Sequence, residues 1–296
     1  MISPERFVQF ARWALWSLTA IVVTGASVRL TGSGLGCTDW PNCEQDQFVA
    51  SLEYHAMIEF VNRLVTGVVA VAVILAALGS LRRVPKRQDL VRWSLGLVAG
   101  VIAQVVLGAL LVKTELDPRF TMGHFLLSMV LLWNAVVLLE KAKHEELAAK
   151  PRPSLATWTR LVFASSAVLL LTGTIVTGSG PHSGSDEPEV AARLPFLVRD
   201  VTRIHSITAI AVLLAVLWTI RRAHLDGAHE RRESAMQVMG LLVTQGAVGY
   251  WQYFTGVPVL LVGIHITLAS LIWIQVVRLA WLTEQPAPAD GEPVPT

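Results

Sequence analysis

"HAMIEFVNRLVTGVVAVAVILAAL", His55 to Leu78, contains a His, a Glu, an Asn and an Arg within its first few turns and no charge from Leu64 onward. A hydrocarbon core about 30 Å thick is crossed by ~20 consecutive apolar residues in a helix, so the segment reads as membrane-spanning. Ionisable groups inside such a helix are costly and mark a functional site by default. His55, Glu59 and Asn62 are spaced i, i+4, i+7 and share one helix face. The fold therefore depends on what the corresponding positions hold elsewhere in the chain.

The whole sequence has the same character. Of its 296 residues 53% are hydrophobic and 16% charged, against about 25% charged in an ordinary soluble domain; the mean hydropathy is +0.54. Eight apolar runs are legible: Phe10–Arg29, Ala56–Leu81, Arg92–Val112, Thr121–Glu140, Trp158–Thr177, Val201–Ile220, Ala235–Phe254 and Pro258–Trp281. Ten Trp against three Tyr suit interfacial aromatic belts. The N-terminal run follows Arg6 and Arg12 as a signal peptide would, but no small-x-small cleavage site ends it, so it is read as a retained helix. A net charge of +2 gives no reason to expect nucleic acid as a partner.

Basic residues cluster after the even-numbered runs: Arg82, Arg83, Lys86 and Arg87; Lys141, Lys143, Lys150 and Arg152; Arg221, Arg222, Arg231 and Arg232. The positive-inside rule then predicts both termini in the cytoplasm and the loops Leu30–His55 and Ser179–Asp200 outside. The Pro-rich, acidic tail after Thr283 is expected to be disordered.

The chain repeats itself. "TGSG" at Thr31–Gly34 recurs at Thr177–Gly180, and Thr24-Gly25 recurs as Thr172-Gly173. "QVVLG" from Gln104 matches "QGAVG" from Gln245, and "HFLLSM" from His124 matches "HITLAS" from His265. Four helices per half is an even number, so the halves keep the same orientation, related by a pseudo-two-fold axis along the membrane normal. The fold class expected is all-α integral membrane, with eight transmembrane helices in two parallel four-helix bundles. Residues 1–150 form one half, 151–283 the other and 284–296 the tail.

In this register Asn62 overlays His205 and His124 overlays His265. All four fall near the outer ends of their helices. Two imidazoles facing each other across a bundle can grip haem iron from both sides, and His205 with His265 form such a pair; the bland alternative is an interfacial His bonded to a carbonyl. Glu59 beside His55 is a candidate proton-transfer group, or else a partner for Arg63. Arg63, Arg29 and Arg203 can pair with haem propionates or snorkel to headgroups. His182 is a loop residue that could lie near a cofactor edge. Gly108 and Gly249 allow close approach of a macrocycle or a helix. Cys37 and Cys43, the only cysteines, share the first outer loop, where an oxidising compartment permits a disulfide; two free thiols are the alternative.

"VRLTGSGLGCTDWPNC", "IEFVNR", "HFLLSM", "TGSGPHSG" and "TRIHS" with "QYFTGVP" and "GIHITLAS" together resemble the haem A synthase family, over nearly the whole chain before the tail. The resemblance implies a cell-membrane, multi-pass oxidoreductase with its haem sites near the outer face. It would convert haem O to haem A by oxidising a ring methyl to a formyl group, for assembly of cytochrome oxidase. It implies haem b as cofactor between His205 and His265, and substrate haem in the first half with His124 as ligand and Glu59 as the catalytic acid. The outer-loop cysteine pair maps to Cys37 and Cys43. Partners implied are haem O, haem A, haem O synthase, oxidase assembly factors, membrane lipid and a redox partner.

The family's E-x-x-H-R reads Glu59-Phe-Val-Asn62-Arg63 here. Either His124 alone holds the substrate, or His55 replaces the missing ligand. A non-catalytic bis-haem electron carrier is the alternative function. A transporter built from parallel repeats would place its polar groups at mid-membrane, and these lie near one end.

Overall fold

The computed structural model describes residues 1–37, 42–43, 49–144, 153–187 and 189–282. The tail expected to be disordered lies outside them. The described chain forms eight helices: α1 (Pro4–Leu30), α2 (Tyr54–Arg82), α3 (Gln88–Lys113), α4 (Pro118–Lys143), α5 (Pro153–Ser179), α6 (Val198–Leu225), α7 (His229–Phe254) and α8 (Val259–Leu282). Several begin before the apolar runs do, because polar caps extend them. Ser3 accepts from the Arg6 amide ahead of α1, with Pro4 in the first turn. Asp117 caps α4 by accepting from the Arg119 amide at 2.8 Å, ahead of Pro118. The Arg119 guanidinium and amide hold the Asp117 carboxyl below the usual carboxylate range.

Seven of these helices are long and apolar enough to cross a membrane. The exception is α7. At 26 residues it is as long as its neighbours, but its first turns, His229 to Glu233, are charged and shorten its apolar part.

The lipid-type surface and the core are sorted by size rather than polarity. On α2, Val61, Leu64, Val68, Val71, Ile74, Leu78 and Leu81 form one exposed stripe at helical spacing. The opposite face buries Val69, Ala72, Val73, Ala76, Ala77 and Ser80. Where lipid tails are as apolar as the core, small residues at the seams let helices approach and gain dispersion contacts.

Helix contacts close two rings. α1–α2–α3–α4 is closed by α1 on α4, and α5–α6–α7–α8 by α5 on α8. The backbones of the diagonal pairs α2/α4 and α6/α8 have no Cα atoms within 8 Å of each other among the described residues. The rings join through α4 on α8, α1 on α8 and α4 on α5. At this seam Trp273 donates its indole N–H to Met129 O at 2.7 Å and stacks near Phe163, centroids 5.0 Å apart.

At the end of the bundle away from Met1, the loops after α1 and α5 bind each other. Ser33 bridges to Ser185, and the Gly34 amide donates to Gly184 O at 2.7 Å. A Cβ at Gly34 would stand 2.8 Å from that carbonyl, so only glycine allows the contact. Leu116 covers it from the α3–α4 turn, where its φ of 62° is the left-handed conformation. Gly256 and Val257, with φ of 83° and 60°, turn the chain likewise between α7 and α8.

Replacing Trp273 by Phe keeps the ring and removes the N–H. Loss of one buried hydrogen bond at the seam should cost about 1 kcal/mol. Thermal unfolding of detergent-solubilised protein should shift down by a few degrees, with helix content unchanged.

Candidate functional site

The second ring brings His205 and His265 together. Their ring centroids are 6.4 Å apart and the planes meet at 63°. With metal–imidazole bonds of about 2.0–2.1 Å, an ion held between two ring nitrogens puts the centroids ~6.3 Å apart. The separation therefore suits one metal centre shared by both rings.

Each ring is seated against a glycine. A Cβ at Gly173 would lie 3.1 Å from His205 Cε1, and one at Gly249 would lie 3.1 Å from His265 Cε1. Any larger residue would push the imidazoles out of line. Thr172 orients His205: its hydroxyl donates to Leu169 O at 2.9 Å, so it accepts from His205 Nδ1–H at 3.0 Å. That tautomer leaves Nε2 with a lone pair, the form a metal requires. Gln245 donates to His265 O at 3.0 Å, while His265 Nδ1, buried, has no hydrogen-bond partner.

Among the described residues no group of three or more His, Cys, Asp or Glu could hold a metal ion. Two imidazoles alone do not complete a structural zinc shell. They do complete the coordination of an iron whose other four positions are filled by a macrocycle. The donor set fits haem.

The first ring repeats most of this construction. Gln104 donates to His124 O at 3.0 Å, and a Cβ at Gly108 would meet His124 Cε1 at 3.8 Å. His124 Nδ1 is buried without a partner, as His265 Nδ1 is. Thr24 donates to Asn62 Oδ1 at 2.8 Å, in the place of the Thr172–His205 contact.

Glu59 is 6% exposed and held on both oxygens. The Cys37 amide donates to Oε2 at 2.8 Å and Arg63 Nη2 to Oε1 at 2.6 Å. Arg63 Nη1 also donates to Asn42 O at 2.9 Å. Cys37 and Cys43 form a disulfide, buried with Ala50 and Ala56. The loop, its cross-link and the carboxylate are thus one unit. The only other buried carboxylate among the described residues, Glu140, is at the opposite end of the bundle.

The remaining candidates make contacts with other partners. Arg29 donates through Nε and Nη2 to His182 O, at 3.0 and 2.7 Å, and through Nη2 to Thr177 O at 3.1 Å. His182 in turn donates from Nε2 to Val257 O at 2.8 Å. These two residues tie α1 to the α5–α6 loop and that loop to the α7–α8 turn. Arg203 is exposed and pairs with Asp200 at 3.8 Å. His55 Nδ1 bonds Ser33 Oγ at 3.0 Å, and its Nε2 lies 3.9 Å from Asp186. Arg193 donates to Pro181 O, and partial burial lowers its pKa.

Sequence reasoning passed over Thr24, Thr172, Ser33 and Asp186 as functional residues. The repeated Thr-Gly pairs were the available signal: in each half the Thr binds the side chain at the Asn62/His205 position, and Gly173 seats the His205 ring.

A chain model of the family described as "Cytochrome oxidase assembly protein" (COX15-CtaA) matches residues 10–277. The chain is 31% identical to "Heme A synthase" of Geobacillus kaustophilus over 106 residues, 35% of this chain and 32% of that one. It is 27% identical to "Heme A synthase" of Exiguobacterium sibiricum over 141 residues, 46% of this chain and 48% of that one. It is 26% identical to "Protoheme IX farnesyltransferase" of Thermus thermophilus over 284 residues, 90% of this chain and 46% of that one. In each case the similarity spans less than half of the relative's length.

Removing the disulfide should loosen the hold on Glu59. Closing so short a loop contributes about 2 kcal/mol, roughly thirtyfold in a local opening equilibrium. In Cys37→Ser/Cys43→Ser the amide at position 37 should exchange hydrogen by about that factor faster, while amides of α4 and α8 keep their rates.

Proposed function

The chain belongs to the cytochrome oxidase assembly protein family, and from that premise we propose that it is a haem A synthase, oxidising the ring methyl of haem O to the formyl group of haem A. The observation that carries this reading is the apposition of His205 and His265 at 6.4 Å. Its supports are His124, in matching surroundings in the other half, and a buried, doubly held Glu59.

Residues 1–150 hold the substrate haem and residues 151–283 hold haem b, in two halves related by a pseudo-two-fold axis along the membrane normal. All eight helices span the cell membrane, with both termini cytoplasmic and the sites near the outer face. The basic clusters at Arg82–Arg87, Lys141–Lys143 and Arg221–Arg222, all at the end away from the sites, support that orientation.

Haem b, when bound between His205 and His265, supplies one-electron transfer. Thr172 fixes the His205 tautomer, and Gly173 and Gly249 let the two rings face each other. His124 holds the substrate haem. Converting methyl to formyl replaces two hydrogens of the reacting carbon by one oxygen, a four-electron oxidation that releases protons. The oxygen and the electron acceptor are co-reactants from outside the chain, and Glu59 is the buried carboxylate available to accept or return a proton. Arg63 and the Cys37 amide hold its two oxygens in place. Ser33 bonds His55 and the Cys37 amide bonds Glu59 at that end, while Arg29 and His182 tie the neighbouring loops together.

The substrate already carries a farnesyl-derived tail, so a reaction that attaches one to protohaem must precede this one. The match to a protein named for that transfer supports a hand-over of haem O between the two activities. Oxidase assembly factors would receive the product, and a redox partner would take or give the electrons.

Pigment extraction tests the reading. The purified chain should yield haem B together with haem O or haem A; haem B alone would instead indicate an electron carrier. His205→Ala and His265→Ala should each abolish the low-spin b-type spectrum without preventing insertion; an unchanged spectrum in both would overturn the axial assignment.

Glu59→Gln keeps the size and removes the acid. It should retain haem b, lower haem A formation by roughly 10²-fold or more, and accumulate haem O or a partly oxidised form. A normal yield would show that Glu59 only braces the loop.

A further inference from the structure

The two rings differ at one position in a way that changes coordination. In the second ring His205 fills the space beside Gly173, at 3.1 Å from its would-be Cβ. In the first ring the equivalent glycine, Gly25, has nothing within 4 Å of its would-be Cβ. Asn62 stands where the imidazole would be and leaves that space open. Thr24 and Asn62 also line a groove of about 390 Å³ between α1 and α2.

Asn62 is not free to turn its oxygen to iron. The Thr24 hydroxyl proton goes to the nearer of its two acceptors, Asn62 Oδ1 at 2.8 Å rather than Ile21 O at 3.4 Å. With Oδ1 engaged, the group Asn62 has left to offer is its NH2, which donates and does not ligate. An amide oxygen would in any case be a poor substitute for imidazole at iron. His55 does not fill the position. It belongs to the first turn of α2, about two turns or ~10 Å along the axis from Asn62, and its ring is engaged with Ser33 and Asp186.

Resting on the reading of residues 1–150 as the substrate-haem half, we propose that this half holds iron through His124 alone, with Asn62 as a hydrogen-bond donor toward a small diatomic ligand on the opposite face. The diagonal placement of α2 and α4 matches that of α6 and α8, across which His205 and His265 meet. Asn62 and His124 take the places in the first ring that His205 and His265 take in the second, each with the matching Thr or Gln contact. The two halves thus divide the work by one side chain. A ring with two imidazoles has both axial positions filled and serves electron transfer. A ring with one imidazole and an amide donor keeps a position for a reactive ligand and polarises it. Asn62 is a positioning residue in this scheme, since it reaches the ligand rather than the carbon that reacts.

Carbon monoxide is the probe, on full-length purified chain carrying two haems and reduced with dithionite. The wild type should take up about one CO per two haems, because only the first-half iron has an open position. Asn62→His should lower CO uptake at least tenfold and roughly double the low-spin signal. The space beside Gly25 accommodates the ring, and Thr24 can bond its Nδ1 as Thr172 does in the other half. Asn62→Leu should still bind CO, with the CO stretch moved to higher wavenumber because the N–H that polarises the ligand is gone. A two-haem wild type that takes up no CO, or an Asn62→Leu stretch that does not move, overturns the proposal. A chain with only one haem removes the first-half site itself and overturns both this proposal and the functional reading beneath it. The expected CO behaviour in a chain that never forms haem A would overturn the synthase reading and leave the role of Asn62 standing.

Discussion

An imidazole ring has no room inside a close-packed helix bundle unless the facing helix gives up a side chain. Gly173 and Gly249 do this for His205 and His265, each leaving 3.1 Å between a would-be Cβ and the ring. The rest of the site end depends on that exchange. It sets how close the rings come while the backbones of the diagonal helices α6 and α8 stay apart. Thr172 completes the arrangement from one residue before its glycine, so a Thr-Gly pair both clears space for the ring and fixes its tautomer.

The polar groups at the site end are paired from loop to loop. A buried backbone carbonyl or amide left unpaired costs about 1–3 kcal/mol, and loops are where such groups accumulate. The chain answers with donors from segments distant in sequence. Arg29 covers His182 O and Thr177 O, His182 covers Val257 O, and the Gly34 amide covers Gly184 O. Three of the four loops at that end thereby form one layer, with Leu116 of the fourth packed beneath the Gly34–Gly184 contact. Glu59 is held by the same economy, its two oxygens accepting from the Cys37 amide and from Arg63. Arg29, a propionate candidate from its sequence position, braces the neighbouring loop.

Repetition explains the architecture, and the departures from repetition bear on the chemistry. Gln104 and Gln245 each donate to the backbone carbonyl of the histidine on the next helix, and the left-handed turns at Leu116 and Val257 recur. Asn62 breaks the pattern where His205 keeps it, and Glu59 has no buried counterpart in the second half among the described residues. One ring brings two imidazoles together at 6.4 Å. The other pairs a single imidazole with an acid and an amide, a combination suited to changing what is bound.

The sequence by itself determined the elements and the register. Eight apolar runs, the TGSG loops and the His124/His265 match all survive in the helices, because helix formation in lipid is local: every backbone group must be satisfied within its own segment. The pairing of Cys37 with Cys43 was legible for a similar reason, since both sit in one short loop. The helix starts were less legible, because caps such as Ser3 and Asp117 extend a helix beyond its apolar run. Only the tertiary structure decided partners across the chain. That Arg29 serves His182, that His55 meets Ser33 and Asp186, and that Thr24 holds the Asn62 oxygen are contacts between segments far apart in sequence. Residue type gives each of these groups several possible partners. Which one it takes depends on the few ångströms by which packed helices bring it to one acceptor and not another.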